Sequence, residues 1–313
     1  MTGIFLGIDT SNYTTSAALF DCGKGVVLQK KMLLPVKKGE KGLRQSDALF
    51  HHTVMLPELM EQLMDGNKSV LSAIGVSSVP RDAEGSYMPC FLAGVSAAVC
   101  AAAVCDIPVY RFSHQAGHIA AALYSAGRLN LLKEKFIAFH VSGGTTEVLL
   151  VEPDDRKIIK MQIICSTLDL NAGQAVDRTG VLLGLQFPCG MELEKLALES
   201  TKTNCLYPVI KAGNCSFSGL ESKCAAMFAA GESARDISRY CIESIGAALI
   251  KMAEFAFDSC GNLPLVFSGG VMSNNIIKRK ITAKFDACFA EPAFSADNAA
   301  GVAVLASLRH RGR

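Results

Sequence analysis

The sequence has no uninterrupted apolar run of the length needed to cross a membrane, about 18 residues or more. The nearest candidate, Phe91 to Val104, has only 14 residues and is rich in small side chains, so it predicts a buried helix. The N-terminus, MTGIFLGIDTS, enters a strand at once and lacks the basic start and small-residue cleavage site of a signal peptide. We therefore expect a cytoplasmic protein without a membrane partner.

Paired cysteine motifs are also missing. The chain contains 12 cysteines, yet no two of them form a CxxC pair. Many stand in apolar or helical contexts, as do Cys100, Cys105, Cys224 and Cys241. This distribution is typical of reduced thiols that serve as small apolar side chains, and it argues against a disulfide framework.

A large excess of charge of one sign is absent as well. Only 19% of the 313 residues are charged, and the net charge is +2, so the molecule as a whole does not attract nucleic acid. Two local basic stretches, residues 37–44 and 309–313, are either solvated surface or points of RNA contact.

The length allows two domains, and no low-complexity linker separates them.

The stretch Phe136 to Glu152 predicts a strand, a glycine turn and a returning strand. Gly143 and Gly144 remove side chains from the turn, so main-chain N–H groups there could contact an anion directly. The alternative is an ordinary Gly-Gly hairpin. A second copy of the plan at Ile4 to Asp21, about 132 residues earlier, favours a duplicated domain.

Strands alternate with helices along the chain, which indicates an α/β fold. Paired hairpins of this kind resemble those with which the actin-like ATPase and sugar-kinase superfamily grips a nucleotide phosphate. The main helices are expected at 47–64, 90–104, 171–183, 221–230, 234–260 and 275–284, with a further helix that begins after Ser113 as N-cap.

The segment HQAGH places His114 and His118 four residues apart on that helix. Residues at this spacing share a helix face, so both imidazoles could bind one metal ion, although a structural pair of histidines is the alternative. Asp297 is the best-placed carboxylate to complete such a site, its alternative role being a helix cap. A zinc-protease site is disfavoured, because Gln115 stands where that motif needs a glutamate base.

The triplet SGG occurs at 142–144 and again at 268–270, where it follows a strand and precedes a helix that begins near Asn275. A strand, a glycine turn and a helix N-terminus form an anion-binding arrangement, but this combination is common in α/β proteins. Asp177 lies on a helix beside the glycine-containing stretch that ends at Gly190. It could hold ribose hydroxyls or be a surface acid.

Five segments in this order resemble the TsaD-type threonylcarbamoyl-transferase family. They are GIDTS; HQAGH; VSGGTTEV; AGQAVDRTGVLLGLQFPCG with the later FSGL; and SGGVMSN with ADNAA. The resemblance implies a duplicated actin-like fold in which a nucleotide and a metal occupy a cleft between two domains. It also implies transfer of a threonylcarbamoyl group from an adenylate to the exocyclic amine of an adenosine in the tRNA anticodon loop.

The resemblance implies which residues carry the site. The metal, iron or zinc, would be held by His114, His118 and Asp297. The substrate is an adenine nucleotide or acyl-adenylate, and the positions that match its binding residues are His140, Val141, Ser142, Gly143, Gly144, Asp177, Gly190 and Asn274. No catalytic side chain is assigned. The partners implied are tRNA, a small actin-like subunit and an ATPase subunit.

The domains expected from this resemblance are 1–125 and 126–294, with a C-terminal helix at 295–313 that packs back on the first. The sequence departs from the family pattern at Tyr13, Thr14, Thr145, Gln174 and Glu221, and in the loop of residues 79–89. Several of these changes remove or reverse a charge. The alternative function is therefore a catalytically altered or inactive module that binds nucleotide and a partner protein.

Overall fold

The computed structural model describes residues 3–11, 13–35, 43–66, 70–295 and 299–312. The chain divides into two compact units. The first comprises Met1–Glu134, Glu152–Lys160 and Ala293–Arg313, and the second comprises Lys135–Val151 and Met161–Pro292.

The first unit is built on a five-stranded sheet in the order β3-β2-β1-β4-β5. Its first three strands are antiparallel, whereas β4 and β5 run parallel to β1. The strands are β1 Ile4–Ser11, β2 Thr14–Asp21, β3 Val26–Leu33, β4 Leu71–Val79 and β5 Val109–Ser113. The helices are α1 Gln45–Met64, α2 Phe91–Cys105, α3 His114–Ser125 and α9 Ala299–His310.

Alternate residues of β1 face opposite sides of this sheet, as the strand period of two requires. Leu6 and Ile8 pack in the apolar cluster formed with α1 and α2. Gly7 faces α9 so closely that an added Cβ would lie 2.0 Å from the carbonyl oxygen of Ala299. Asp9 has the same parity as Gly7, and its side chain consequently points away from α1 and α2.

The crossing of α3 and α9 depends on glycine. A Cβ at Gly301 would lie 1.9 Å from the carbonyl oxygen of Gly117. Only a residue without a side chain permits this approach, so the small-residue face of α9 lets it lie between the sheet and α3.

The second unit contains a five-stranded sheet in the order β10-β9-β6-β7-β8. Strands β6 and β7 form an antiparallel hairpin, and β9 lies parallel to β6 on its other side. The strands are β6 Phe136–Val141, β7 Thr146–Asp154, β8 Ile158–Ser166, β9 Leu265–Ser268 and β10 Ala287–Phe289. The helices are α4 Ala172–Leu182, α5 Gly190–Leu198, α6 Ser218–Ala229, α7 Ala234–Cys260 and α8 Asn275–Thr282. The apolar core lies between this sheet and the helices, with α7 as its longest contributor.

The two predicted hairpins and the predicted helices are confirmed, with differences of a few residues at their ends. Ser113 caps α3 as expected, since its hydroxyl accepts a hydrogen bond from the Ala116 amide. The short edge strand β10 and the 3-10 turn at Leu129–Lys133 were not predicted. Among the helices of the described residues, none has the length and apolar character to span a membrane.

Candidate functional site

His114 and His118 lie on the first two turns of α3 with their ring centroids 4.6 Å apart. His118 is buried, and His114 is more accessible. The spacing of four residues brings both imidazoles to one face of the helix, as the sequence predicts. The first unit thus presents a close pair of nitrogen donors at the carboxyl end of β5.

Asp9, at the end of β1, orients the first of these histidines. Its Oδ2 lies 2.9 Å from His114 Nδ1, and the Ser77 hydroxyl donates to the same oxygen. The amide of Ser11 donates to Oδ1 at 3.0 Å. Burial alone would raise the pKa of Asp9, but the attraction of His114 and these hydrogen bonds outweigh it and bring the pKa down to about 2.

An ionised carboxylate on Nδ1 favours the imidazole tautomer whose Nε2 lone pair is available to a metal, an arrangement common among metal-binding histidines. The donor chemistry therefore suits a divalent ion such as zinc or iron. Among the described residues, no group of three or more His, Cys, Asp and Glu side chains is placed to hold a metal ion, whether or not it includes this pair. Asp297, the expected third ligand, lies outside the described residues.

In the second unit, the turn between β6 and β7 is open above both of its glycines. Among the described residues other than the glycine's own chain neighbours, no atom lies within 4 Å of the position that a Cβ would take at Gly143 or Gly144. The Ser142 hydroxyl accepts hydrogen bonds from the amides of Gly144 and Thr145 at 3.3 and 3.1 Å, which fixes the turn. A ligand can consequently approach this backbone without meeting a side chain.

Helix α4 packs end-on against that turn. The Gly173 amide donates to the Ser142 carbonyl at 3.1 Å, and the Ala172 amide donates to the Thr146 hydroxyl at 2.9 Å. A Cβ at Gly173 would lie only 2.6 Å from the backbone nitrogen of Gly143. The helix N-terminus and the glycine turn are thus held as one structure.

The second SGG triplet lies beside the first. Strand β9 pairs with β6 so that Ser268 is opposite His140, which also pairs across the hairpin with Glu147. Gly269 has φ of 98°, and a Cβ there would lie 2.3 Å from the carbonyl oxygen of Val141. The structure therefore brings both SGG turns to the same end of the second sheet.

Asn274 caps the helix that follows. Its side-chain oxygen accepts hydrogen bonds from the amides of Ile276 and Ile277 at 3.0 and 3.1 Å. Glu194 of α5 accepts a bond from the Asn275 amide at 2.6 Å. This contact ties the start of α8 to α5, whose first residue is Gly190.

Asp177 of α4 contacts the residue before Gly190. Its Oδ1 accepts a hydrogen bond from the Cys189 amide at 2.9 Å. Burial raises the pKa of this carboxyl above its ordinary value, and the Cys189 hydrogen bond opposes that shift. A chain of contacts therefore links four of the expected adenylate-binding elements in the second unit. The turn at 142–144 contacts α4, Asp177 of α4 contacts the residue before Gly190, and α5 contacts the residue after Asn274.

A cavity of about 560 Å³ opens beside Asp177. Apolar and charged side chains line it together, and an ion pair between Arg178 and Glu221, 2.9 Å apart, forms part of its wall. Two of the positions that depart from the family pattern are in the lining. The lining residues are Gln174, Asp177, Arg178, Thr179, Val181, Leu182, Phe187, Glu221 and Ala225.

Sequence reasoning missed Asp9 and Glu194. Asp9 belongs to the GIDTS segment, but only strand pairing reveals that it reaches His114, 105 positions further along the chain. The rule that carboxyl ends of parallel strands share one sheet edge could have suggested it, because β1, β4 and β5 are parallel. No local signal marks Glu194 as a partner of α8.

Two five-stranded sheets, each opened by a glycine- or threonine-containing hairpin and covered by helices, define a duplicated actin-like ATPase fold. Solved structures with this fold resemble the chain in structure, although their sequence identity to it is low. Full-length HypF in a phosphate- and nucleotide-bound form is 13% identical, with a TM-score of 0.61 over 99% of this chain and 46% of that one. Component A of the (R)-2-hydroxyglutaryl-CoA dehydratase of Acidaminococcus fermentans is 14% identical, with a TM-score of 0.57 over 98% and 99% of the two chains.

Within this class, residues 36–304 match the model of the family TsaD: tRNA N6-adenosine threonylcarbamoyltransferase. The chain belongs to this family. A tRNA N6-adenosine threonylcarbamoyltransferase of Thermosipho africanus is 29% identical over 291 residues, which cover 88% of this chain and 84% of the relative. A probable bifunctional tRNA threonylcarbamoyladenosine biosynthesis protein of Thermoplasma acidophilum is 25% identical over 279 residues, 89% of this chain. The chain spans only half the length of that second relative.

Proposed function

We propose that this chain is a cytoplasmic, metal-dependent transferase that moves a threonylcarbamoyl group from its adenylate to the exocyclic amine of an adenosine in the tRNA anticodon loop, or performs a closely related carbamoyl-type transfer. Family membership supports the reaction class. The observation that carries the proposal is the convergence of two glycine turns and the N-termini of α4 and α8 at one end of the second sheet.

The adenylate would be held by this convergence. The open backbone at Gly143 and Gly144 would face the phosphate, since backbone without side chains lets an anion approach closely. The first amides of α8 already donate to Asn274 and Glu194, so α8 would contribute only the dipole of its N-terminus. The Asp177 carboxylate would accept hydrogen bonds from the ribose hydroxyls. The neighbouring cavity, with Phe187 and Val181 in its wall, offers apolar contacts for a purine ring.

The histidine pair would hold the metal, with Asp297 as the implied third protein ligand. Asp9 would keep the His114 ring in the tautomer whose Nε2 lone pair can bind the metal. When bound, a divalent iron or zinc ion would supply Lewis-acid polarisation of an acyl or phosphate oxygen.

A second candidate function, a partner-binding module, is favoured by the surface formed by α1 and α2. A groove of about 500 Å³ lies between these helices. Neither helix contains Lys or Arg, and α1 carries Asp47, Glu58 and Glu61. The groove is lined by Leu49, Thr53, Leu56, Pro57, Met60, Leu92, Ala93, Ser96 and Ala97. We propose that this groove receives an apolar helix of a partner subunit, and that basic residues flank that helix. Such a subunit is compatible with the transferase and with the partner-binding module.

Complementation tests the transferase. The chain is expressed in cells depleted of their own tRNA threonylcarbamoyl transferase, and the modified nucleoside is measured by mass spectrometry of digested tRNA. The wild type is expected to restore it and His114→Ala to fail. His51→Ala, which changes a histidine of α1 outside the pair, is the matched control and should restore the nucleoside.

The outcome separates the two functions. If the wild type restores no modified nucleoside although the purified protein binds zinc and AMP, the tRNA reaction is refuted and the partner-binding module or a related transfer is favoured. If the purified protein holds no iron or zinc and His114→Ala complements like the wild type, metal dependence is refuted.

A further inference from the structure

The loop of residues 79–89 contacts the first turn of α3, which carries His114. The Gln115 amide donates a hydrogen bond to the Pro80 carbonyl at 3.1 Å. Amides in the first turn of a helix have no acceptor within the helix. The loop therefore supplies an acceptor that this turn needs, and it constrains where the turn lies.

Asp82, in the same loop, acts on the cap of the helix. The Ser113 hydroxyl accepts a hydrogen bond from the Ala116 amide at 3.2 Å and donates one to Asp82 Oδ2 at 2.9 Å. A hydroxyl has one proton, so its donation to Asp82 fixes the direction of its lone pairs. The ionised acceptor strengthens that bond, and a negative charge at a helix N-terminus is favourable.

Lys157 holds the other oxygen of this carboxylate, with Nζ 2.8 Å from Asp82 Oδ1. Lys157 belongs to the turn between β7 and β8, a part of the chain that packs with the first unit. Asp154 Oδ1 accepts hydrogen bonds from the amides of Arg156 and Lys157 at 2.9 and 2.7 Å. The following residue, Ile158, has φ of 71°, which is uncommon for a β-branched side chain. The turn that presents Lys157 is thus fixed in shape.

We propose that Asp82 is a positioning residue for the histidine pair. Through Ser113 it fixes the first turn of α3 in the pose in which His114 and His118 bind a divalent metal, and Lys157 keeps Asp82 in place. This inference rests on the proposed metal-binding function of the two histidines. It assigns a role to a loop that departs from the family pattern.

Titration of the full chain with Co²⁺, followed by its visible absorption spectrum, tests the assignment. Asp82→Asn is expected to weaken Co²⁺ binding by a factor of a few, less than the roughly tenfold minimum for a direct partner of a metal-binding histidine, because Asp82 acts on the cap of α3 and not on a histidine. Lys157→Met should weaken it less, because the lysine end of this ion pair is exposed. An unchanged Co²⁺ affinity in Lys157→Met would overturn the part assigned to that lysine.

The chain offers a matched control on the same hairpin. Lys160 pairs with Glu152 at 3.1 Å and is as exposed as Lys157, at 59% against 55% of the side chain, but it does not reach Asp82. Lys160→Met should therefore bind Co²⁺ like the wild type. Equal losses in the Lys157 and Lys160 variants would overturn the proposal, because the effect would then be one of general surface charge.

A double-mutant cycle tests the route through Ser113. If Asp82 acts through the cap, Asp82→Asn should weaken Co²⁺ binding little further in a Ser113→Ala background. Losses that simply add, or an Asp82→Asn protein with wild-type affinity, would overturn the assignment.

Hydrogen exchange separates this inference from the proposed function. A wild type that does not bind Co²⁺ refutes the metal site, and the exchange of the Gln115 and Ala116 amides then tests the loop alone. Faster exchange in Asp82→Asn than in Lys160→Met supports the positioning role, and equal rates in the two variants refute it.

Discussion

The Asp177 carboxylate combines partial burial with a single amide partner. Because burial raises its pKa above the ordinary value of 3.8, the folded protein at neutral pH carries a charge that its surroundings disfavour. In the proposed function, ribose hydroxyls would donate hydrogen bonds to this carboxylate. Asp177 would then favour ligand binding at some cost to stability.

Asp177→Asn should separate these two effects. The amide oxygen can still accept from Cys189, so at neutral pH the variant should unfold at the same temperature as the wild type or slightly higher. A raised pKa means that the wild type gains stability as pH falls through the carboxyl range, and the difference should vanish there. Affinity for AMP should fall about tenfold or more, since a hydrogen bond to a charged group contributes about 1.5–3 kcal/mol.

Thermal unfolding from about pH 3 to pH 8 and calorimetric titration with AMP measure both effects. Asp258→Asn, at an exposed position of α7, is the control and should alter neither quantity. Unchanged AMP affinity in Asp177→Asn would contradict the ribose role.

The sequence predicts on which element a residue with a local signal lies, but it does not predict contacts across the sheet. The spacing of His114 and His118 and the glycine turns are visible in the sequence, because the helix period and turn chemistry act within a few residues. Asp9 and Asp82 reach α3 only through strand pairing and a loop contact. Periodicity contains no information on such distant pairs.

At the scale of elements, the junction of α4 with the Ser142–Thr145 turn depends on the second residue of the helix, Gly173. Its missing Cβ is what permits contact with the backbone of Gly143. Backbone atoms give way less easily than the ends of side chains, so the junction tolerates no added volume.

Gly173→Ala should destabilise the protein by about 1–3 kcal/mol, the usual cost of inserting a methyl group into a packed contact. Gly219 is also the second residue of a helix, α6, but in the part of the chain that the structure describes no atom outside its own turn of helix lies within 4 Å of its added Cβ. Gly219→Ala should therefore be neutral or stabilise by up to about 1 kcal/mol. Urea unfolding compares the two, and equal effects would contradict the close contact at Gly173.

The start of α7 is tied by Asp236 to the segment after α5. The Ser200 hydroxyl donates to Asp236 at 2.6 Å, and Lys202 Nζ lies 2.9 Å from it. Hydrogen bonds from Ser200, Lys202 and Ser233 lower the pKa of Asp236 to about 2. A carboxyl with a lowered pKa stabilises the fold above its ordinary range, and this contribution is lost as pH falls towards 2.

Asp236→Asn should thus be less stable than the wild type at neutral pH, and the two unfolding curves should converge as pH falls from about 4 to about 2. Urea unfolding at a series of pH values measures this convergence. A stability gap that stays constant across that range would show that the charge of Asp236 contributes nothing.

At the scale of the whole molecule, the alternation of strands and helices predicted the α/β class, and the resemblance of the two hairpins and of five segments to a known family predicted the duplicated actin-like fold. The order of strands within each sheet does not follow from the alternation, because it depends on contacts between distant segments. The same holds for the close crossing of α3 with α9, which needs Gly117 and Gly301 at one point.

None of the 12 cysteines, all of which lie among the described residues, forms a disulfide, and half of them are buried. Burial raises the pKa of Cys165 and of Cys215 to about 12, so neither forms the reactive thiolate at neutral pH. In a titration with a thiol reagent, the exposed Cys100 and Cys105 should react first, and denaturant without reductant should release all 12 thiols. A smaller number after unfolding would reveal a disulfide and contradict the structure.

Helix α9 belongs to the first unit, yet it follows the entire second unit in the chain. On the ribosome, the first sheet is synthesised long before the helix that covers Gly7 and Gly75. That face therefore stays exposed to solvent until α9, Ala299–His310, has been synthesised, so the first unit is completed last although its sheet is synthesised first.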